Sequence, residues 1–209
     1  MMATAHVIEC FYTLSSPWAY FGGPRLLDIA RKHGVQIVLR PYDFVNVVPR
    51  TGGIPLRTRP QPRQDYHAIE LDRWRNYLGM PLNLQPRFYP PDNRLATHAV
   101  IAAQQAGHDA LRLSHAILQA LWTEERNSAD RATLIAIAHE NGIDGERLFA
   151  AATEAPVDAE FKRNSMDAVA RGVFGSPTYY FAGGPYWGQD RLDFVDRALT
   201  AGAEQLRHA

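Results

Sequence analysis

A chain of 209 residues is long enough to bury a sizeable core and fits one domain, or one domain carrying a large insertion. Its 22 Lys plus Arg balance 22 Asp plus Glu, which excludes a general electrostatic pull toward nucleic acid or an anionic membrane surface. The single cysteine, Cys10, excludes an internal disulfide and a cysteine-rich zinc site, and no apolar run approaches the roughly 20 residues of a membrane span. The opening MMATAHVIEC lacks a basic segment followed by an apolar one, so the expected location is the reducing cytoplasm.

In chain order, HVIECFYTL (6–14) is apolar and β-rich and predicts a first strand. SSPWAYFGGPRLLDIARKHG (15–34) predicts a helix. Ser16 suits its N-cap, Pro17 its first position, and Gly34 a left-handed C-terminal cap. Gly22-Gly23-Pro24 is expected to bend or break it near the middle. VQIVLRPYDF (35–44) predicts a second strand, and the Pro-, Gly- and Arg-rich stretch 45–63 a long binding loop or lid. Helical patterns follow at 64–78, 94–106, 108–125, 129–140, 144–153 and 158–172, with breaks at Gly79, Pro90-Pro91 and Pro156 among others. PTYYFAGG (177–184) and PYWG (185–188) return to strand character. DRLDFVDRALTAG (190–202) closes with a helix that Asp190 would cap.

The order is therefore βαβ, a block of helices, then ββα. The two end segments are too short to stand alone and must pair with each other. This is an α/β class with a thioredoxin-like layout. Residues 1–63 and 173–209 would form the sheet domain, and 64–172 an all-helical insertion.

In redox proteins of that layout a Cys-x-x-Cys stands where the first helix begins. Here Ser16-Pro17-Trp18-Ala19 stands there, so dithiol exchange at this site is chemically excluded. The free N–H groups and positive dipole end of a helix N-terminus still stabilise a thiolate. A bound cofactor could supply that sulfur, with Ser16 donating to it; the simpler alternative is that Ser16 only caps the helix. Ser176-Pro177 occupies the place of a cis proline facing that terminus, the alternative being a trans proline opening an edge strand. Asp190 could bind an ammonium group or merely cap the last helix. His67, His98, His108, His115 and His139 show no metal-binding spacing, and RWRNY (73–77) reads as one buried Trp among solvated arginines rather than a nucleic-acid patch.

Four stretches in order, FYTLSSPWAYFGG, TGGIPL with a following R and DY, ELDRWRNYLGMPLNLQPRFYP, and GVFGSPTYYFAGGPYWGQDRLDFVDRAL, resemble the kappa-class glutathione transferases and the 2-hydroxychromene-2-carboxylate isomerases. The resemblance covers essentially the whole chain. It implies glutathione as cofactor, with Ser16 hydrogen-bonding its sulfur. It implies that the Ser176 backbone, before Pro177, pairs with the cysteinyl part, that Gln189 and Asp190 hold the γ-glutamyl end, and that Arg63 lies near the glycyl carboxylate. Departures are Gly53, where some relatives place an Asn that touches glutathione; Thr13, where many have an acid; and Gln189, where some have Ser. The implied activity is isomerisation of a small aromatic acceptor, with the glutathione thiolate as a transient nucleophile. Trp18, Tyr20, Phe88 and Tyr89 would wall the acceptor site. Glutathione conjugation, and a non-catalytic peptide-binding module, are the alternatives. The resemblance further implies a homodimer, with no metal, nucleic acid or membrane partner.

Overall fold

The computed structural model describes residues 7–207. Residues 1–6 and 208–209, including the start of the stretch examined for a leader, lie outside the described residues. β1 (Val7–Tyr12), α1 (Pro17–His33) and β2 (Gln36–Pro41) open the chain. Six helices follow: α2 (Phe44–Val47), α3 (Gln61–Leu78), α4 (Arg94–Gln105), α5 (Ala110–Trp122), α6 (Arg131–Glu140) and α7 (Gly145–Ala151). After these come α8 (Ala155–Ala170), β3 (Thr178–Phe181), β4 (Gly184–Trp187) and α9 (Leu192–Arg207). The sheet has the order β2-β1-β3-β4. β1 pairs parallel with β2 and antiparallel with β3, and β3 antiparallel with β4. The expected α/β, thioredoxin-like architecture with a helical block between β2 and β3 is the one observed. No described helix is long and apolar enough to cross a membrane.

Strand alternation sorts side chains onto two faces. Ile8, Cys10 and Tyr12 of β1, with Tyr179 and Phe181 of β3, enter the larger core, which also holds apolar residues of α1, α4, α5 and α9. Phe11 and Tyr180 face the other way, into a smaller cluster with Tyr42, Val47, Val48, Ala168 and Val173. At the outer edge of β2 Gln104 of α4 accepts from the Leu39 N–H (2.8 Å) and donates to the Leu39 carbonyl (3.1 Å). That bidentate contact occupies backbone groups a bare edge would offer to another chain.

α1 forms where its capping residues predict. Ser16 Oγ accepts from the Ala19 N–H, Pro17 follows, and Gly34 takes the left-handed cap at φ 64°. The expected break at Gly22-Gly23-Pro24 is absent, because α1 runs unbroken from Pro17 to His33. The glycines serve packing instead. A Cβ on Gly22 would stand 2.4 Å from the Tyr179 hydroxyl, and one on Gly23 would stand 2.8 Å from His115 Nδ1. They let the helix lie directly on β3 and α5.

Three other expectations are corrected. The stretch 45–63, expected as one long binding loop or lid, contains most of α2, two 3-10 turns, Val48–Thr51 and Leu56–Thr58, and the start of α3, and it is tied down by Thr51 Oγ1 donating to the Val173 carbonyl (2.7 Å). Pro156, expected as a break between two helices, lies in the first turn of α8, where its missing N–H costs nothing. Asp190 does not cap α9; it lies within a 3-10 turn, Gln189–Arg191, that precedes the helix.

Alanine is worth about 1 kcal/mol more than glycine in an open helix, while overpacking a core costs about 1–3 kcal/mol. Gly22→Ala is therefore expected to lower the unfolding free energy despite its better propensity. Gly202→Ala in α9, where a Cβ meets nothing within 4 Å, is expected to raise it. Urea denaturation of both variants checks the pair; stabilisation by Gly22→Ala would contradict the close contact.

Candidate functional site

β1 ends at Tyr12, and the chain turns through Thr13–Ser15 into α1, while β3 begins directly after Pro177. Because β1 and β3 are antiparallel neighbours, with Phe11 opposite Thr178, the start of α1 meets the start of β3. There Ser16 Oγ donates to the Ser176 carbonyl (3.0 Å), and Ser176 Oγ accepts from the Thr13 N–H (3.0 Å). The Ser176-Pro177 bond is cis, as is Tyr89-Pro90, which the sequence marked only as a break. Ser16 is 7% exposed. Pro17 has no N–H, and the Ala19 N–H is bonded to Ser16 Oγ, so the Trp18 N–H is the donor left in this first turn.

These groups form the floor of a cleft of about 350 Å³, within the range of small-molecule sites. Trp18, His67, Tyr89 and Asn93 line it, as do Phe174 and Trp187. Arg57 and Arg59 also line it, and none of its lining residues is Asp or Glu. Phe174 and Trp187 contact edge to face at 4.8 Å and are about half exposed. The Trp187 indole lies over Gly175, where any Cβ would collide with it. Asn93 Nδ2 donates to Ser15 Oγ (2.8 Å), while its buried Oδ1 has no partner.

Trp18 Nε1 donates to His67 Nε2 (3.2 Å). That bond requires an imidazole whose Nε2 carries no proton. The electrostatics agree: burial, then the Arg59 charge, push the His67 pKa down to about 4. Burial likewise pushes the Tyr89 phenol up, with the Arg57 charge opposing it. Cys10 is no rival nucleophile. It lies inside β1, and burial pushes its thiol far above the ordinary range.

The residues singled out from sequence separate into two groups. Ser16, Ser176, Trp18 and Tyr89 meet in the cleft. Pro177 sits beneath it, facing a small internal cavity beside Cys10 and Tyr179. Tyr20 points away, buried, its hydroxyl donating to the Pro81 carbonyl (2.9 Å) and its ring stacked on His115. Phe88 packs on the main core and under Arg87, outside the cleft lining. Arg63 is exposed on α3. Gln189 is 1% exposed and held by Arg25, which donates to its carbonyl and its Oε1 (3.1 and 2.8 Å), leaving Gln189 Nε2 buried without a partner. Asp190 pairs with Arg191 at 3.4 Å. Gly53 lacks a side chain for a packing reason, since a Cβ would stand 2.4 Å from both the Phe174 carbonyl and Val48 Cγ1. Sequence reasoning missed His67, Arg57, Arg59, Asn93, Phe174 and Trp187. The arginine density of the stretch 57–63 was the only visible sign of any of them.

A mixed four-stranded sheet, a helix N-terminus facing a cis proline, and a serine in place of the thiol define a thioredoxin-like protein without its dithiol. The chain belongs to the DsbA-like thioredoxin domain family, whose profile matches residues 7–200. It is 26% identical over 193 residues to a 2-hydroxychromene-2-carboxylate isomerase of Sphingobium xenophagum, covering 92% of this chain and 97% of that one. To the human glutathione S-transferase kappa 1 it is 21% identical, covering 92% and 90%. A solved 2-hydroxychromene-2-carboxylate isomerase superposes with a TM-score of 0.79 at 22% identity, covering 97% and 98%.

Two outcomes test the electrostatics of this site without any ligand. Ser16→Cys is expected to create a thiol with a pKa below the ordinary value of about 8.5, because the helix terminus favours its anion. Thiolate absorbance against pH reads it, and a value at or above the ordinary one would contradict the assignment. The second concerns His67. Its folded pKa lies below the ordinary 6.5, so as pH falls the unfolded chain takes up the proton first. The stability it contributes is full above about pH 6.5 and is lost progressively down to about pH 4. His98 and His115 are also held low by burial and act in the same direction. Thermal midpoints of the wild type and His67→Gln across that window isolate the His67 share, with a smaller acid loss expected in the variant.

Proposed function

We propose that this chain is a glutathione-dependent isomerase of aromatic substrates resembling 2-hydroxychromene-2-carboxylate. The observation that carries the proposal is Ser16, a buried hydroxyl at the N-terminus of α1, 3.0 Å from the Ser176 carbonyl, in a cleft with no thiol and no carboxylate of its own. The names of the relatives, isomerases and kappa-class glutathione transferases, support it over most of the chain's length.

The residues present fit that cofactor. Asn93 Oδ1 is an unused acceptor in the cleft wall. It suits the amide N–H of a peptide-like ligand. Ser16 and the Trp18 N–H would hold its sulfur, and the Ser176 backbone its cysteinyl part. Gly53 cannot contribute a side chain, so that contact of some relatives is absent here. When bound, glutathione supplies a thiolate that adds reversibly to an electrophilic carbon, so that a double bond becomes single, rotates and re-forms as the sulfur leaves.

The protein's own work is electrostatic. The Ser16 proton now points at the Ser176 carbonyl and must turn to serve an anionic sulfur. The Ala19 N–H, which Ser16 Oγ accepts, polarises the hydroxyl toward donation. The positive end of α1 and the arginines across the cleft favour the anion further. Trp18, fixed by His67, and Tyr89 offer flat walls to an aromatic ring.

Ser16→Ala is expected to lower turnover by about 10²–10³, as loss of a donor to a catalytic anion does. Its stability should fall by about 1–3 kcal/mol, because the variant loses both the cap and the bond to the Ser176 carbonyl. Turnover within a few-fold of wild type would reduce Ser16 to a cap. Following glutathione through many turnovers separates the two chemistries: the isomerase leaves it unchanged, and a transferase consumes it.

A further inference from the structure

We propose that Arg57 and Arg59 anchor a carboxylate carried by the acceptor, so that the cleft selects aryl carboxylates over neutral electrophiles of the same shape. The proposal rests on the functional reading above and adds the residues that would read the carboxylate of the substrate. Neither residue has a role assigned by the resemblance, which pointed to Arg63 alone.

Three observations carry it. First, the 3-10 turn Leu56–Thr58 and the extended Arg59 after it put both residues in the lining of the cleft. Second, neither has an ion-pair partner among the described residues, and no acidic side chain lines the cleft to provide one. Outside the cleft Arg25 pairs with Asp193, Arg40 with Glu9, Arg94 with Asp158 and Arg126 with Glu140. Third, Arg59 is preorganised. Arg59 Nε donates to the Ile54 carbonyl (2.7 Å), which fixes the plane of the fork and leaves its terminal nitrogens free.

The charges also lie where an aromatic acid would place its anion. Arg57 is close enough to act on the Tyr89 phenol, and Arg59 on His67, which in turn holds the Trp18 indole. The aromatic walls and the two cations therefore adjoin. Burial and the nearby Arg63 charge destabilise the protonated form of Arg59, so an arriving carboxylate relieves a repulsion already present. A guanidinium fork matches a carboxylate geometrically, which a neutral amide of the same outline cannot exploit.

The test uses the full chain and three probes: trans-cinnamate, its neutral isostere cinnamamide, and S-methylglutathione, with affinities measured by calorimetry. Wild type is expected to prefer cinnamate to cinnamamide by about tenfold or more, the size of one charge-assisted hydrogen bond. In Arg57→Gln/Arg59→Gln that preference should fall to about twofold, while S-methylglutathione affinity stays within about threefold of wild type. Arg57→Lys/Arg59→Lys keeps the charge without the fork and should retain part of the preference. Failure of wild type to bind cinnamate at millimolar concentration, or equal binding of acid and amide, overturns the proposal. So does a double Gln variant that weakens S-methylglutathione more than cinnamate, since the pair would then belong to the cofactor. If S-methylglutathione does not bind at all, the cofactor reading fails, while the acid-against-amide comparison still decides the anchor.

Discussion

The hydrogen bond from Ser16 to the Ser176 carbonyl joins residues 160 positions apart, and the cleft exists because they meet. Their meeting follows from the antiparallel register of β1 on β3, in which Cys10 faces Tyr179 and Phe11 faces Thr178. A slip of one residue would turn Ile8, Cys10 and Tyr12 out of the large core and Phe11 into it. Two cores, one on each face of the sheet, hold that register. The serine pair inherits its geometry from burial far larger than any single polar contact.

α1 has to sit low on the sheet for its first turn to face Ser176. Gly22 and Gly23 permit this at the expense of helix propensity, and Tyr179 and His115 fill the space side chains would have taken. Gly53 does the same for the other wall, bringing the 45–63 stretch against the Phe174 carbonyl. Thr51 donates to the Val173 carbonyl, and Tyr42 donates to the Gly175 carbonyl (3.0 Å), so the segment before the cis proline is pinned from two sides. Small residues and backbone hydrogen bonds thus build a rigid frame, the condition for donors that act without reorganising.

The charges on the two sides of the molecule contrast. On the smaller face of the sheet Arg40 bonds Glu9, Glu160 and Asn164, and Arg171 bonds Glu9 while lying 4.3 Å over the Tyr180 ring. Those cations are satisfied and hold α8 to the strands. In the cleft Arg57 and Arg59 meet no carboxylate, His67 is held neutral, and the positive end of α1 points the same way. A site built this way favours an anion and lowers the proton affinity of any acid placed in it.

The sequence by itself determined the order of elements, the capped start of α1 at Ser16-Pro17, the absence of a redox dithiol, and the proline before β3. These are local: each depends on residues within a turn or two, and the backbone obeys them. Its errors were also local in origin. Gly22-Gly23-Pro24 looked like a break because a sequence shows the low propensity of glycine but not the Tyr179 and His115 atoms that require it. Tyr20 and Phe88 are expected to wall an acceptor site between the first helix and the helical insertion, yet the helix turns Tyr20 to Pro81 and the core takes Phe88. Only the tertiary structure decided which aromatics and cations share the cleft. Trp18 and His67 are 49 residues apart, and Arg57 and Arg59 reach Tyr89 and His67 only because the 45–63 stretch folds back over the start of α1. Such neighbours are set by packing between distant segments, which leaves no periodicity in the chain to read.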